Sequence, residues 1–292
     1  MFDLMAGEPA AAAVFEAAAA ALGGRDPREL VRQGGDIIHR NDVAQVLCCA
    51  QALAAWAVIG PTAPQPITIA GYSAGEVPAW AVAGVVDMNV AFDLVARRAG
   101  LMDEETHEPC GLAGIVGLSR TAVDAMCHMH GLAVAIVNGP LHFILGGRTA
   151  GLLAASAEAL ARGAARVAML PIHVASHTPL LAAASERFRK LLMETVADGA
   201  LRDVRLISGT DGMPVRRITE GLAKLAAQVS TTIDWAGCMD TCRAARPARV
   251  LELGPGDALA RISVDLAPGI PARSVTDFRT IEGLRRWIEA AA

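Results

Sequence analysis

The stretch Ile67-Thr-Ile-Ala-Gly71-Tyr-Ser73-Ala-Gly75-Glu76 decides how the chain is read. Ile67 to Ala70 is short and β-branched, so it predicts a strand. Gly71 to Gly75 is too rich in small residues to continue it and predicts a tight turn. Glu76 to Ala83 then reads as a helix that Gly84 stops. A serine between two glycines at a strand-to-helix turn fits G-x-S-x-G, where a sharp turn lifts the hydroxyl out of the sheet. The start of the helix aims free N–H groups and its positive dipole end at the same spot. Ser73 is therefore the candidate nucleophile. The N–H of Ala74 is the candidate donor to an oxyanion formed on an acylated Ser73.

Working outward, Glu8 to Leu22 and Asp42 to Ile59 read as helices, ended by Gly23-Gly24 and Gly60-Pro61. Asn89 to about Glu105 is a further helix. From Cys110 the rhythm changes. Strands at Gly111–Gly117, Val134–Val137, His142–Leu145 and Arg166–Leu170 enclose helices at Ser119–Gly131 and Thr149–Ala161. That β-α-β-β-α-β order is the ferredoxin-like pattern. Strands then alternate with helices again, from the helix Pro179–Val196 to the strand Val250–Leu253 and the Gly254-Pro-Gly256 turn. The expected class is α/β: a hydrolase-like, largely parallel sheet with helices on both faces, plus an inserted ferredoxin-like α+β subdomain. The expected division is a discontinuous catalytic domain, 1–109 and 172–292, around a subdomain at 110–171.

Composition closes off other classes. The 292 residues are 53% hydrophobic and 19% charged, enough apolar material for a large core and too much for disorder. A net charge of −4 gives no basic field to hold nucleic acid, and 1 Tyr with 6 Phe leaves little for stacking on bases. The longest apolar run, Val46 to Ile59 around Gln51, falls short of the ~20 residues of a membrane span and reads as a buried helix. Asp3, Glu8 and Glu16 fall where a signal peptide is apolar or cationic. The six cysteines contain no C-x-x-C pair. Cys127, His128 and His130 are spaced onto different helix faces, so no metal site is expected. The expectation is a soluble cytoplasmic protein without metal or cofactor.

A serine nucleophile needs a base. Of seven histidines, His39 and His107 sit in polar stretches, His128 and His130 near a helix end, and His142 on a subdomain strand. His173 and His177 lie in Pro171-Ile-His-Val-Ala-Ser-His177, an irregular segment where the chain re-enters the main domain. A loop at a domain junction is a common place for a catalytic group. Composition alone leaves the two as rivals. Arg97 and Arg98 sit on an otherwise apolar helix, and one of them in the cleft would bind a carboxylate with its planar fork.

These residues together resemble the malonyl-CoA:acyl-carrier-protein transacylases, over nearly the whole chain. The nearest likeness is to the epsilon subunit of malonate decarboxylase. Gly71-Tyr-Ser-Ala-Gly-Glu76 is similar to the family's G-H-S-x-G-E, with Tyr72 in place of histidine as in the decarboxylase branch. The family's arginine follows its serine by 25 positions, which from 73 leads to Arg98. Ser176-His177 matches the family's catalytic histidine. Asn138-Gly-Pro140 resembles its N-x-P turn, and Glu252-Leu-Gly-Pro-Gly256 its E-x-G-P-G turn. Gln228 resembles the glutamine whose backbone carbonyl orients the histidine. The resemblance implies that Ser73, His177 and Gln228 are catalytic, and that Arg98, Ala74 and Asn138 bind substrate. It implies malonyl transfer from malonyl-CoA to the phosphopantetheine thiol of an acyl carrier protein, through a malonyl-serine. It also implies other malonate decarboxylase subunits as partners.

Two departures from the family carry expectations of their own. The family begins with a strand and a G-Q-G-x-Q loop whose glutamine supplies a second oxyanion N–H. Met1 here lies past that loop, and loss of such a donor typically costs about 10²–10³ in rate. Reduced activity follows, with a carrier-docking subunit that performs no chemistry as its limit. Ser176 stands where many malonyl-specific members carry phenylalanine, which implies room for a methyl branch. A serine esterase or thioesterase of the α/β-hydrolase type is the other enzymatic reading. That fold places its acid between serine and histidine, with the histidine near the C-terminus.

Overall fold

The computed structural model describes residues 1–197, 201 and 204–290. Three helices come first: α1 (Ala12–Ala21), α2 (Pro27–Gln33) and α3 (Asn41–Ile59). They are followed by β1 (Ile67–Ala70), α4 (Glu76–Val82) and α5 (Met88–Glu104). Unread in the sequence, α2 nevertheless carries a standard start. Asp26 accepts from the Arg28 N–H and Pro27 takes the first helical position. The apolar stretch at Val46–Ile59 belongs to a longer helix than expected. Asn41–Thr62 is long and apolar enough to cross a membrane, yet 67% of its apolar window is buried inside the fold. Val43, Val46, Leu47 and Ala50 are all fully enclosed. Each such aliphatic side chain of valine or leucine size contributes about 1.5–3 kcal/mol on burial. The helix is therefore spent on the core, packed against α1 and α5.

The middle of the chain holds β2 (Cys110–Val116), α6 (Arg120–His130), β3 (Ala133–Gly139), β4 (His142–Arg148), α7 (Thr149–Ala161) and β5 (Arg166–Met169). Ser119 caps α6 through the Ala122 N–H, and Gly131 ends it in the left-handed conformation. The sheet order is β5-β2-β4-β3, antiparallel throughout. Fourth, first, third, second is the ferredoxin-like order. Alternation divides the strands between two faces. Ala113, Ile115, Phe143 and Leu145 face α6 and α7, while Leu112, Ile136 and Ile144 face the rest of the molecule.

The remaining elements are α8 (Ala182–Thr195), β6 (Val204–Ile207), α9 (Ile218–Ala227), β7 (Ile233–Asp234), α10 (Trp235–Ala244), β8 (Val250–Glu252), α11 (Ala258–Leu266), β9 (Ala272–Ser274) and α12 (Ile281–Glu289). Parallel pairing is present as expected, in two separate two-stranded sheets, β1 with β6 and β8 with β9. One feature was not foreseen. β7 adds in parallel to the free edge of β3, pairing Ile136 with Ile233 and Val137 with Asp234. An exposed edge is thereby covered. The five-stranded sheet so formed includes residues on both sides of position 171. Two residues are too few to show a strand period, which is why the sequence hid this join.

Candidate active site

The turn after β1 is sharp because Gly71 has no side chain. A Cβ there would stand 2.2 Å from the Glu76 Cα and 2.5 Å from the Gly75 carbonyl oxygen. Gly75 is different: its backbone is ordinary right-handed helix and a Cβ would meet nothing within 4 Å. Of the two glycines in the pattern, only the first is sterically required. Ser73 has a φ of 52°, a left-handed conformation that costs a non-glycine residue on the order of 1–3 kcal/mol. Ala74 follows it within the 3-10 turn Ser73–Gly75, which leads directly into α4.

His177 is the second left-handed residue, at φ 64°. It is 1% exposed. Its position is set by the end of α9. The last carbonyls of a helix have no partner within it. The His177 backbone N–H donates to the Val229 carbonyl at 2.9 Å, and its Nδ1–H donates to the Gln228 carbonyl at 2.5 Å. With Nδ1 protonated, Nε2 is left as the acceptor. It receives the Ser73 hydroxyl at 2.8 Å. Burial, the charge of Arg98 and a partly offsetting bond to Gln228 together hold the imidazole down to about 3. It is neutral at pH 7, the state a general base needs.

Arg98 and Arg97 part company on α5. Arg97 is exposed, with Asp93 at 3.8 Å. Arg98 is 1% exposed and points inward. Its guanidinium donates to Gln45 Oε1 at 2.5 Å and to Gln228 Oε1 at 3.0 Å. Its Nε has no partner among the described residues. The Gln228 amide in turn donates to Glu76 Oε2 at 2.6 Å and to the Ser73 carbonyl at 3.3 Å. One glutamine thus touches four groups. Its backbone holds the histidine; its side chain joins the arginine, a buried carboxyl and the nucleophile's own backbone.

Comparison with known proteins places the chain in a family. The family described as acyl transferase domain matches residues 2–216. The chain belongs to that family. It is 30% identical over 236 residues to the malonyl CoA-acyl carrier protein transacylase of Mycobacterium bovis, covering 80% of this chain and 75% of the relative. A protein of the same name from Haemophilus influenzae is 27% identical over 298 residues, covering 98% of this chain and 93% of the relative. A type II PKS acyl-carrier protein has been solved in complex with its malonyl-transacylase. A chain of that complex superposes with a TM-score of 0.88 at 25% identity, over 99% of this chain and 94% of that one.

Within this acyl transferase, Asn138 stands apart from the serine and histidine. It is 3% exposed, its Nδ2 lies 3.4 Å from His142 Nε2, and its Oδ1 has no partner among the described residues. Tyr72 is next to it and packs edge-on against Trp235, with ring centroids 5.1 Å apart. The rival His173 is exposed. His130 pairs with Glu158 at 2.6 Å on the outside of the subdomain. All six cysteines are free thiols, and no cluster of metal-ligating residues occurs among the described residues. Arg243 pairs with Asp240, and Arg249 lies over the Trp287 ring at 4.8 Å.

The sequence reading missed Gln45 and the buried role of Glu76. Gln45 interrupts the apolar face of α3, which is a signal of a kind. Gln51 interrupts the same helix and takes no part in the site, so the signal does not choose between them. A cleft of about 410 Å³ opens beside His177, between Arg120 and Asp124 of α6 and residues 230–232. His177 lines it and Ser73 does not.

Proposed function

We propose that the chain is a malonyl-CoA:acyl-carrier-protein S-malonyltransferase. The observation that carries this is a half-buried Ser73 on a neutral, buried His177, wired through one glutamine to a buried arginine that makes no ion pair within 4.0 Å among the described residues. Ser73 Oγ attacks the thioester carbonyl of malonyl-CoA while His177 Nε2 takes its proton. The Ala74 N–H, next in the turn, donates to the tetrahedral oxyanion. The C–S bond breaks, the proton passes from His177 to the departing CoA sulfur, and a malonyl-Ser73 ester remains. The phosphopantetheine thiol of an acyl carrier protein then attacks that ester by the reverse sequence.

Among the described residues, two of Arg98's five N–H donors are engaged. The rest are available for the free carboxylate of the malonyl group, which is why an acyl group without one binds poorly. The third member of the catalytic set is the Gln228 carbonyl rather than a carboxylate, unlike the α/β-hydrolase triads. Developing imidazolium is favoured there by the negative end of α9. Asn138, buried beside Tyr72, is assigned to the acyl or pantetheine chain. The division into a catalytic part, 1–109 with 172–292, and a subdomain, 110–171, is part of the same reading. So is the finer assignment to malonate decarboxylase, with its other subunits as partners, for which Tyr72 is the support. The free thiols accord with a cytoplasmic location.

Incubation with malonyl-CoA followed by intact-protein and peptide mass spectrometry tests the proposal. The expected result is one malonyl adduct on Ser73, discharged by a phosphopantetheinylated carrier protein. An intact, folded protein that takes up no malonyl group would overturn it.

A further inference from the structure

Glu76 is a buried ionisable group beside the site that the transfer reaction does not use. It is 0% exposed. Oε2 accepts from the Gln228 amide at 2.6 Å and from the Gly209 N–H at 3.2 Å. The close approach of that N–H requires glycine, since a Cβ on Gly209 would stand 2.8 Å from the same oxygen. Oε1 has no partner among the described residues. The carboxyl does not touch Arg98. The Gln228 amide lies between them, with its oxygen on the guanidinium and its nitrogen on the carboxyl. That polarity fixes the amide, because the flipped form sets N–H against cation and C=O against anion.

Among the described residues of the site, Arg98 is the one buried cation and Glu76 the one buried anion. Asp211 also faces Glu76, but Lys224 pairs with it at 2.6 Å. Cys238 of α10 faces it too, as a thiol that burial keeps neutral. His177 is neutral. Once a substrate carboxylate docks on Arg98, two anions share one cation in a dry site. Two carboxylates in that position do not both stay ionised.

We propose that docking of the malonyl carboxylate on Arg98 drives a proton onto Glu76, so that Glu76 is the resident counter-ion the substrate displaces. This rests on the malonyl-transfer reading above. Serine acylation is itself proton-neutral, since the Ser73 proton leaves on the CoA thiol; the proton taken up by Glu76 comes from solvent. Burial pushes this carboxyl up to about 7, against the opposing pull of Gln228, Gly209 and Arg98, so the exchange lies within working pH.

Two measurements decide it. At pH 8, a weakly buffered solution with an indicator dye is followed while wild-type protein is malonylated, and Ser73 occupancy is counted by mass. Close to one proton is expected to disappear per malonyl-Ser73 formed, and none per acetyl-Ser73 formed from acetyl-CoA. In parallel, kcat/KM for malonyl-CoA is measured from pH 6 to 9. It is expected to fall about tenfold per pH unit above the Glu76 value, with acetyl-CoA as the control for ionisation of the CoA moiety. In Glu76→Gln that fall disappears, because the neutral amide leaves Arg98 permanently open. Malonyl-Ser73 that forms without proton uptake, or a Glu76→Gln profile that keeps the falling limb, overturns the inference and leaves the transferase reading standing. Absence of any adduct overturns both. If the variant does not fold, the proton count on wild-type protein decides alone.

Discussion

The ferredoxin-like subdomain and the part that holds Ser73 are built to opposite rules. Thirteen polar or charged residues are described as buried, and only Asn138 of them falls within 110–171. The subdomain's interior is Ile115, Met126, Phe143, Leu145 and Leu152, with its ion pairs, such as Arg120–Asp124, on the outside. The other part buries Gln45, Glu76, Arg98, His177 and Gln228 in one continuous hydrogen-bonded set. An apolar core needs shape alone. Each buried polar group costs on the order of 1–3 kcal/mol if left unpaired. A fold that gathers five such groups in one place, and must pair each of them, is using them for chemistry rather than stability.

The largest effect comes from breaking the polar side at its base. His177→Ala is expected to lower malonyl transfer about 10²–10⁴-fold while leaving the folded state in place, with single-turnover malonylation and thermal melting as the two readouts. Arg98→Ala is expected next, at about 10²-fold or more in kcat/KM for malonyl-CoA, from the loss of charge-assisted hydrogen bonds. Transfer of acetyl groups should change far less, since they present nothing to the guanidinium. Equal losses on the two substrates would remove Arg98 from carboxylate binding.

The same contrast explains what the sequence disclosed. The strand, turn and helix around Ser73 were legible because β-branching, glycine and serine each act locally. The subdomain was legible because its alternation and caps are local too. Composition left His173 and His177 unresolved: both lie in one irregular segment, and the carbonyls that select His177 belong to residues 228 and 229. Gln45, 53 positions from Arg98, and Glu76, 152 from Gln228, meet their partners only through packing. No spacing rule reaches that far. β7 joined the subdomain sheet unseen for the same reason.

Breaking the apolar side should do the reverse. Leu145 is fully buried between the sheet, α6 and α7. Leu145→Ala is expected to cost about 2–5 kcal/mol in denaturant unfolding. The malonyl-to-acetyl ratio of the remaining folded protein should not move. A shift in that ratio would mean that the subdomain core tunes the site, and the division of labour between the two parts would have to be given up.

The smallest effect separates two carboxyls within the polar part. Glu252, like Glu76, is pushed up to about 7 by burial, against the backbone N–H groups of Ala260 and Leu259. Unlike Glu76 it faces no buried arginine; its Oε2 takes the Ala260 N–H at 2.8 Å and so caps the first turn of α11. A folded-state value raised above the unfolded one means that the folded protein holds the proton more tightly. The stability this confers is full below about pH 4.5 and is lost as pH rises through about 7. The loss is on the order of 2–3 kcal/mol. Glu252→Gln keeps an acceptor for α11 and removes the charge. It should therefore raise the Tm at pH 8 by several degrees, at about 2–4 °C per kcal/mol, and change it little at pH 5. Its kcat/KM profile should keep the wild-type falling limb, because the cap at α11 has no guanidinium to share with a substrate. If Glu252→Gln flattens that limb as Glu76→Gln is expected to, burial alone sets both carboxyls, and neighbourhood to Arg98 no longer distinguishes them.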